Sequence, residues 1–228
     1  MKEQNLKCER INQDLSQFDF CFKIIVVGDC GVGKSCLSLK AIKDYFEEFY
    51  KPTVGFEFLS FNVKVDDKTI KLQIWDTWGQ EAYRSLINGV YKNSSLAILV
   101  YSIDNMNSFT HLETWLNDIK MQSNPDIKIF LIGNKVDLED KRKISKEMGE
   151  TFYKEHNLDF FMETSAKTGF NAHNLFIEAG SLLYKEYLKN KDNIYRKKIR
   201  FNTNCLSDSL DPEIEEEINK QTKRRCAC

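Results

Sequence analysis

Eight consecutive residues, Gly28-Asp29-Cys30-Gly31-Val32-Gly33-Lys34-Ser35, meet every fixed position of the phosphate-binding pattern G-x-x-x-x-G-K-[ST]. The chemistry this spacing permits is the cradling of a polyphosphate. Glycines let the backbone wrap round phosphate oxygens and aim its N–H groups inward. Lys34 can reach the β- and γ-phosphates, and the Ser35 hydroxyl can ligate Mg2+. A glycine-rich turn that merely precedes a lysine is the plain alternative, and the flanking residues argue against it. Cys21 to Val27 is a short, β-branched apolar run that reads as a buried strand. Lys34 to Asp44 places Leu37, Ala41 and Ile42 near helical spacing. A helix starting at the lysine adds the positive end of its dipole to the site.

A phosphate loop by itself implies only a nucleoside triphosphate, and three further segments narrow the choice. Asp76-Thr77 closes the apolar run Ile70 to Trp75, the position of a second Mg2+-directed carboxylate, and Gly79-Gln80 follows. A lone aspartate at a strand end is more often a cap, but this one stands behind a phosphate loop. Asn134-Lys135-Val136-Asp137 follows the run Ile129 to Gly133. Guanine carries two N–H donors, N1 and the exocyclic N2, on one edge, and a single carboxylate accepts both. Asp137 therefore suits guanine, whereas adenine would present it with an acceptor. Lys135 can lie along the base and the phosphate loop. Glu163-Thr164-Ser165-Ala166-Lys167 ends a last strand-like run. There a backbone N–H around Ser165 and Ala166 can meet the guanine O6, and Lys167 can cover the ring.

The elements that must position these residues can be read from periodicity. Phe58 to Lys64 alternates, Asp66-Asp67-Lys68 makes a turn, and Thr69 to Trp75 alternates again, which predicts a hairpin. Leu96 to Ser102 reads as a buried strand. Ser108 to Met121 reads as an amphipathic helix with Leu112, Trp115, Leu116 and Ile119 on its apolar stripe. Lys128 to Gly133 is a further strand, Lys146 to His156 a helix, Leu158 to Glu163 a strand and Ala172 to Leu188 a helix. Strands alternating with helices around one hairpin predict an α/β fold: a mostly parallel, six-stranded, doubly wound sheet with one antiparallel edge strand and helices on both faces.

Composition bounds the remaining possibilities. The chain has 228 residues, 42% hydrophobic and 29% charged, the profile of an ordinary globular domain with extensions. Net charge is −1, so bulk charge gives no case for nucleic acid. No apolar run approaches the roughly 18 residues of a membrane span. The polar N-terminus has no signal-peptide core, and Lys2 excludes N-myristoylation. Seven cysteines without an export signal read as reduced thiols, Cys21 and Cys36 as small buried hydrophobes. His111, His156 and His173 are dispersed and read as surface or capping residues, and Trp115 reads as core. Residues 1–19 lack periodicity and read as a mobile N-terminal extension, 20–189 as the folded domain, and 190–228 as a disordered tail. That tail carries Arg196-Lys197-Lys198 and Arg200, an acidic stretch from Asp208 to Glu217, and Lys223-Arg224-Arg225 before the terminal Cys226-Ala227-Cys228.

With these motifs in this order, residues 20–188 resemble the Ras superfamily of small GTPases, and specifically its Rab branch. The features that carry the finer resemblance are Thr53-Val54-Gly55-Phe56-Glu57-Phe58, Lys71-Leu72-Gln73-Ile74-Trp75-Asp76 and Tyr83-Arg84-Ser85. Phe109 to Lys167 is most similar to the Rab subgroup working between endoplasmic reticulum and Golgi. The resemblance implies a P-loop GTPase fold, binding of GTP or GDP with Mg2+, and slow hydrolysis of GTP. It places Asp29, Cys30, Gly31, Val32, Gly33, Lys34, Ser35 and Cys36 around the phosphates. Phe46 falls on the aromatic that packs against guanine. Thr53 falls on the threonine that senses Mg2+ and the γ-phosphate, Gly79 and Gln80 on the second switch, and Gln80 orients the attacking water. Ser35, Thr53 and Asp76 form the implied Mg2+ set. The implied partners are an exchange factor, an activating protein and effectors that read both switches in a monomer. The Cys226 and Cys228 ending implies two prenyl groups, a prenyl-dependent chaperone, and residence on the cytoplasmic face of endomembranes with a cytosolic pool.

The chain departs from the family pattern at three places. Trp78 stands where the family has alanine, between the Mg2+ carboxylate and Gln80. Val90 replaces the third of three effector-facing aromatics, the others being Phe58 and Trp75. Cys30 supplies no arginine in cis, so a partner is expected to complete hydrolysis. Two other readings follow: a nucleotide-binding switch or scaffold that hydrolyses poorly because of Trp78, and a P-loop ATPase, which Asp137 argues against.

Overall fold

The computed structural model describes residues 6–11, 17–47, 57–77 and 90–194. Thr53, Trp78, Gly79, Gln80, Cys226 and Cys228 lie outside the described residues. The strands are β1 (Cys8–Ile11), β2 (Phe20–Val27), β3 (Glu57–Val65), β4 (Lys68–Asp76), β5 (Leu96–Ser102), β6 (Lys128–Asn134) and β7 (Phe160–Glu163). The helices are α1 (Lys34–Lys43), α2 (Met106–Thr110), α3 (Leu112–Gln122), α4 (Lys146–Glu155) and α5 (Ala172–Ile194). The strands form one sheet in the order β1-β3-β4-β2-β5-β6-β7. From β4 through β7 all neighbours are parallel, while β3 pairs antiparallel with β4 and with β1.

The strand count corrects the expectation of six. The extra strand lies in the stretch expected to be a mobile extension: Cys8–Ile11 pairs with Asn62–Val65. Four residues that include Glu9 and Arg10 carry no alternation, so only the long-range pairing reveals the strand. The expected helix from Ser108 to Met121 is divided at His111, where α2 ends and α3 begins. The last helix runs past its expected end at Leu188 to Ile194.

The apolar runs follow from burial on two faces. Along β5, Leu96, Ile98 and Val100 face one core and Ala97, Leu99 and Tyr101 the other. β6 divides in the same way, with Phe130 and Ile132 opposite Ile129 and Leu131. The first core is completed by Leu37 and Ala41 of α1 and by Leu175, Phe176 and Ala179 of α5. The second is completed by Leu112, Trp115, Leu116 and Ile119 of α3 and Phe152 of α4. The hairpin alternates because its main burial is one-sided: Leu59, Phe61 and Val63 of β3 and Ile70, Leu72 and Ile74 of β4 all enter the first core. Fully burying each such side chain stabilises the fold by about 1.5–3 kcal/mol.

Candidate nucleotide site

The site lies at the C-terminal edge of the parallel strands, where a doubly wound sheet leaves its loops open to ligands. β2 ends at Val27 and the phosphate loop follows at once. Gly28 has φ +140°, and a Cβ there would fall 2.2 Å from the Val100 carbonyl oxygen on β5. Gly33 has φ +93°, caps α1, and would carry a Cβ 2.5 Å from Asn134 Nδ2. Both positions exclude any side chain, which keeps the loop backbone tight against the sheet.

Lys34 is buried and donates from Nζ to the carbonyls of Gly28 and Asp29, each at 2.8 Å. Burial pushes its ammonium down to about 8; the charges of Asp76, Cys30 and Asp29 act in the opposite direction. These two carbonyls are the acceptors that phosphate oxygens would replace. Ser35, in the first turn of α1, is buried. Asp76, wholly buried at the end of β4, sits beside Val26 of β2, and the next hydroxyl, Thr77, donates to the Val26 carbonyl at 2.7 Å. Ser35 and Asp76 supply oxygen donors, the type Mg2+ prefers, and the buried carboxylate provides the charge. Among the described residues no three His, Cys, Asp or Glu side chains converge on a metal position. Ser35 and Asp76 would hold such an ion by their oxygens, and water and phosphate oxygens would supply the rest of its ligands.

Asn134 joins the base loops to the phosphate loop. It is wholly buried, donates from Nδ2 to the Val32 carbonyl at 2.9 Å, and accepts at Oδ1 from Thr164 Oγ1 (3.1 Å) and the Ala166 N–H (3.2 Å). Lys135 follows with φ +70°, its Cε 4.0 Å from where a Gly33 Cβ would lie. The Val136 N–H donates to the Thr164 carbonyl at 3.1 Å. Asp137 is exposed and accepts from Ser165 Oγ at 2.5 Å, and that hydroxyl in turn accepts the Thr168 N–H at 3.1 Å. Ala166 is buried and Lys167 exposed. Beneath this loop Arg142 bridges Glu163 (2.7 Å) and Glu139 (2.8 Å), which raises its pKa. That brace ties the loop after β6, through Glu139 and Arg142, to Glu163 at the end of β7, and the long-range half of it has no signature in sequence.

The structure thus brings Asp29 to Cys36, Asp76, Asn134, Lys135, Asp137, Ser165, Ala166 and Lys167 to one edge. Phe46, just beyond α1, is half-buried against the first core. Cys30 is exposed, whereas Cys36 is half-buried and burial raises its thiol pKa. Cys21, expected to be buried, is half-buried. On the flank, Phe58 is 52% exposed and meets the half-buried Trp75 edge-on at 5.7 Å, with Lys23 Nζ 4.8 Å from the Trp75 ring centroid. Val90 is buried in the second core.

Sequence reading also missed a second role of Trp115 and of His111, the residue that caps α3. Trp115 is core as expected, yet its indole N–H donates to Asp29 Oδ1 at 2.7 Å. His111, at the start of α3, places Nδ1 2.6 Å from Asp29 Oδ2.

The Ras family model matches residues 23–185, the span that holds the phosphate loop, the buried aspartate and both base loops. Members of that family are P-loop switches that bind GTP or GDP with Mg2+, hydrolyse GTP, and meet exchange factors, activating proteins and effectors. With this fold and this match over most of its length, the chain belongs to the Ras family of small GTPases.

Proposed function

We propose that the chain is a Rab-type switch that binds and hydrolyses GTP to regulate vesicle traffic from the cytoplasmic face of an endomembrane. The observation that carries the switch reading is the bonding of Asn134. One side chain holds the Val32 carbonyl and the Ala166 N–H together, so base recognition and phosphate binding form a single unit. In this reading Asp137 accepts the guanine N1 and N2 protons, and Phe46 and Lys135 flank the base. Lys34 and the loop N–H groups hold the β- and γ-phosphates. Ser35, Asp76 and Thr53 hold Mg2+, which when bound neutralises charge on those phosphates. Gln80 orients water for in-line attack on the γ-phosphate.

The Rab assignment rests on sequence: the segments from Thr53 to Phe58, Lys71 to Asp76 and Tyr83 to Ser85, and the Cys226-Ala227-Cys228 ending. Two geranylgeranyl groups on Cys226 and Cys228 give stable anchoring where one gives only marginal binding. Effectors meet the switches beside the exposed Phe58, and because Val90 replaces the third aromatic, their choice does not carry over from Rabs with a full triad. The subgroup between endoplasmic reticulum and Golgi is the proposed setting.

A second reading has its own observation. Trp78 precedes Gly79-Gln80, and displacing positioned groups by about 1 Å lowers rates by about 100-fold. Single-turnover GTP hydrolysis, with and without a Rab-type activating protein, separates the two readings. Stimulated turnover supports the enzyme; hydrolysis that appears only in a Trp78→Ala variant supports the impaired switch. Mass spectrometry of the C-terminal peptide tests the anchor, and unmodified thiols in the native protein would overturn it.

A further inference from the structure

We propose that Arg10, on the N-terminal strand, is a positioning residue for nucleotide retention that acts by fixing the chain between α1 and Phe46. The inference rests on the reading of Phe46 as the aromatic that packs against the base.

Arg10 sits at the third position of β1, paired with Val63 of β3, and its side chain is 20% exposed. It leaves the sheet edge and reaches the far end of α1. Nη2 donates to the Ile42 carbonyl at 2.5 Å, and Nη1 lies 3.4 Å from Asp44 Oδ2 and against His173 Nε2. His173 Nε2 lies 3.3 Å from the other Asp44 oxygen. The guanidinium carbon stands 5.4 Å from the centroid of Phe61. One cation therefore engages a helix-end carbonyl, the cap residue, a ring of the first core and, through His173, the start of α5.

These contacts meet at the point where α1 must stop. Asp44 has φ +53°, a left-handed conformation that a non-glycine residue holds only when its surroundings fix it. Its N–H closes the helix on the Lys40 carbonyl at 3.1 Å. The last carbonyls of a helix have no partner within it and favour a cation. Lys40 Nζ donates to the Asp44 carbonyl at 3.1 Å from within the helix; Arg10 adds a second cation from outside, two-pronged and planar, which a lysine cannot reproduce. Two residues beyond Asp44, Phe46 leans on the same core cluster that holds Phe61. Fixing Asp44 limits where Phe46 stands, and a base packed on a fixed ring leaves more slowly than one packed on a free ring.

The test uses the full chain loaded with a fluorescent GDP analogue and chased with unlabelled GDP. Arg10→Ala is expected to release the analogue about fivefold faster, as the loss of about 1 kcal/mol predicts. Arg10→Lys should fall between Arg10→Ala and the unchanged chain. In a Phe46→Ala background, adding Arg10→Ala should change nothing further. Full additivity of the two effects would overturn the proposal, because an effect independent of Phe46 is general structural damage. So would an unchanged rate in Arg10→Ala, or a Phe46→Ala variant that releases nucleotide no faster than the unchanged chain. Amide hydrogen exchange decides the brace without nucleotide: Arg10→Ala should exchange faster at Asp44–Glu47 with α3 protection unchanged. Equal protection there would sink the brace, while a chain that retains no GDP but shows the faster exchange would fail only the binding reading.

Discussion

Asp29 and Trp115 are joined across the two layers of the fold: the buried indole N–H donates to the Asp29 carboxylate at 2.7 Å. The second residue of the phosphate loop is thereby pinned to α3, which packs on the opposite face of the sheet from α1. His111 holds the other carboxylate oxygen. The loop is thus tied on both sides, by Asn134 at Val32 and by α3 at Asp29.

Trp115→Phe keeps a ring in the second core and removes one donor to a carboxylate that is only 15% exposed. A hydrogen bond to a charged group is worth about 1.5–3 kcal/mol. The variant should lose stability in that range in urea unfolding and release GDP faster. An unchanged midpoint would show that His111 alone suffices to hold Asp29.

Gly149 lies inside α4, where alanine would favour the helix by about 1 kcal/mol. A Cβ there would stand 2.5 Å from the Tyr101 hydroxyl and 2.7 Å from the Phe161 ring, so α4 would have to move off the sheet. Gly149→Ala should therefore destabilise by about 1–3 kcal/mol despite the better propensity. Tyr101→Phe should do the reverse, because its buried hydroxyl has no hydrogen-bond partner among the described residues. Urea midpoints that moved in the opposite directions would refute this packing account.

How much of this was legible in the sequence depends on whether the signal is local. Lys34, Asn134, Asp137 and Ser165 announce themselves because each sits in a short motif directly after an apolar run. β5 and β6 announce themselves because both their faces are buried. Arg10, Arg142 and His111 do not, since each acts on residues distant in sequence: Arg10 on Asp44, Arg142 on Glu163, His111 on Asp29. β1 is invisible for the same reason, being stabilised by pairing with β3 and not by its own pattern. Trp115 was half legible: its place in the apolar stripe marks it as core, but nothing local shows that its N–H reaches the phosphate loop.

Asp137→Asn should convert base preference. The exposed carboxylate has one oxygen on Ser165 and the rest of its accepting capacity open to a base. An amide in its place presents a donor to one guanine N–H, and leaving such groups mispaired discriminates by about 100-fold or more. Xanthine, which replaces the N2 donor by an acceptor, should gain accordingly. Competition of GDP, XDP and ADP against a labelled nucleotide checks this; equal displacement by ADP and GDP in the unchanged chain would defeat guanine recognition through Asp137.

Lys34 gives the site a pH signature of known sign. Burial lowers its pKa to about 8 from an ordinary value of 10.5. The unfolded chain thus holds this proton longer than the folded one, so stability must rise with pH between about 8 and 10.5 and be lowest, in this respect, below pH 8. Phosphate binding reverses the balance, since nearby negative charge restores the ammonium. At pH 8.5 binding of GDP should take up most of one proton at Lys34; at pH 7 it should take up almost none there. Calorimetry in buffers of different ionisation enthalpy measures that uptake directly. Lys34→Met should flatten the stability profile between pH 8 and 10.5 and lose the nucleotide. A binding heat independent of buffer at pH 8.5 would mean that the lysine is already charged before nucleotide binds, with Asp76 and Asp29 outweighing its burial.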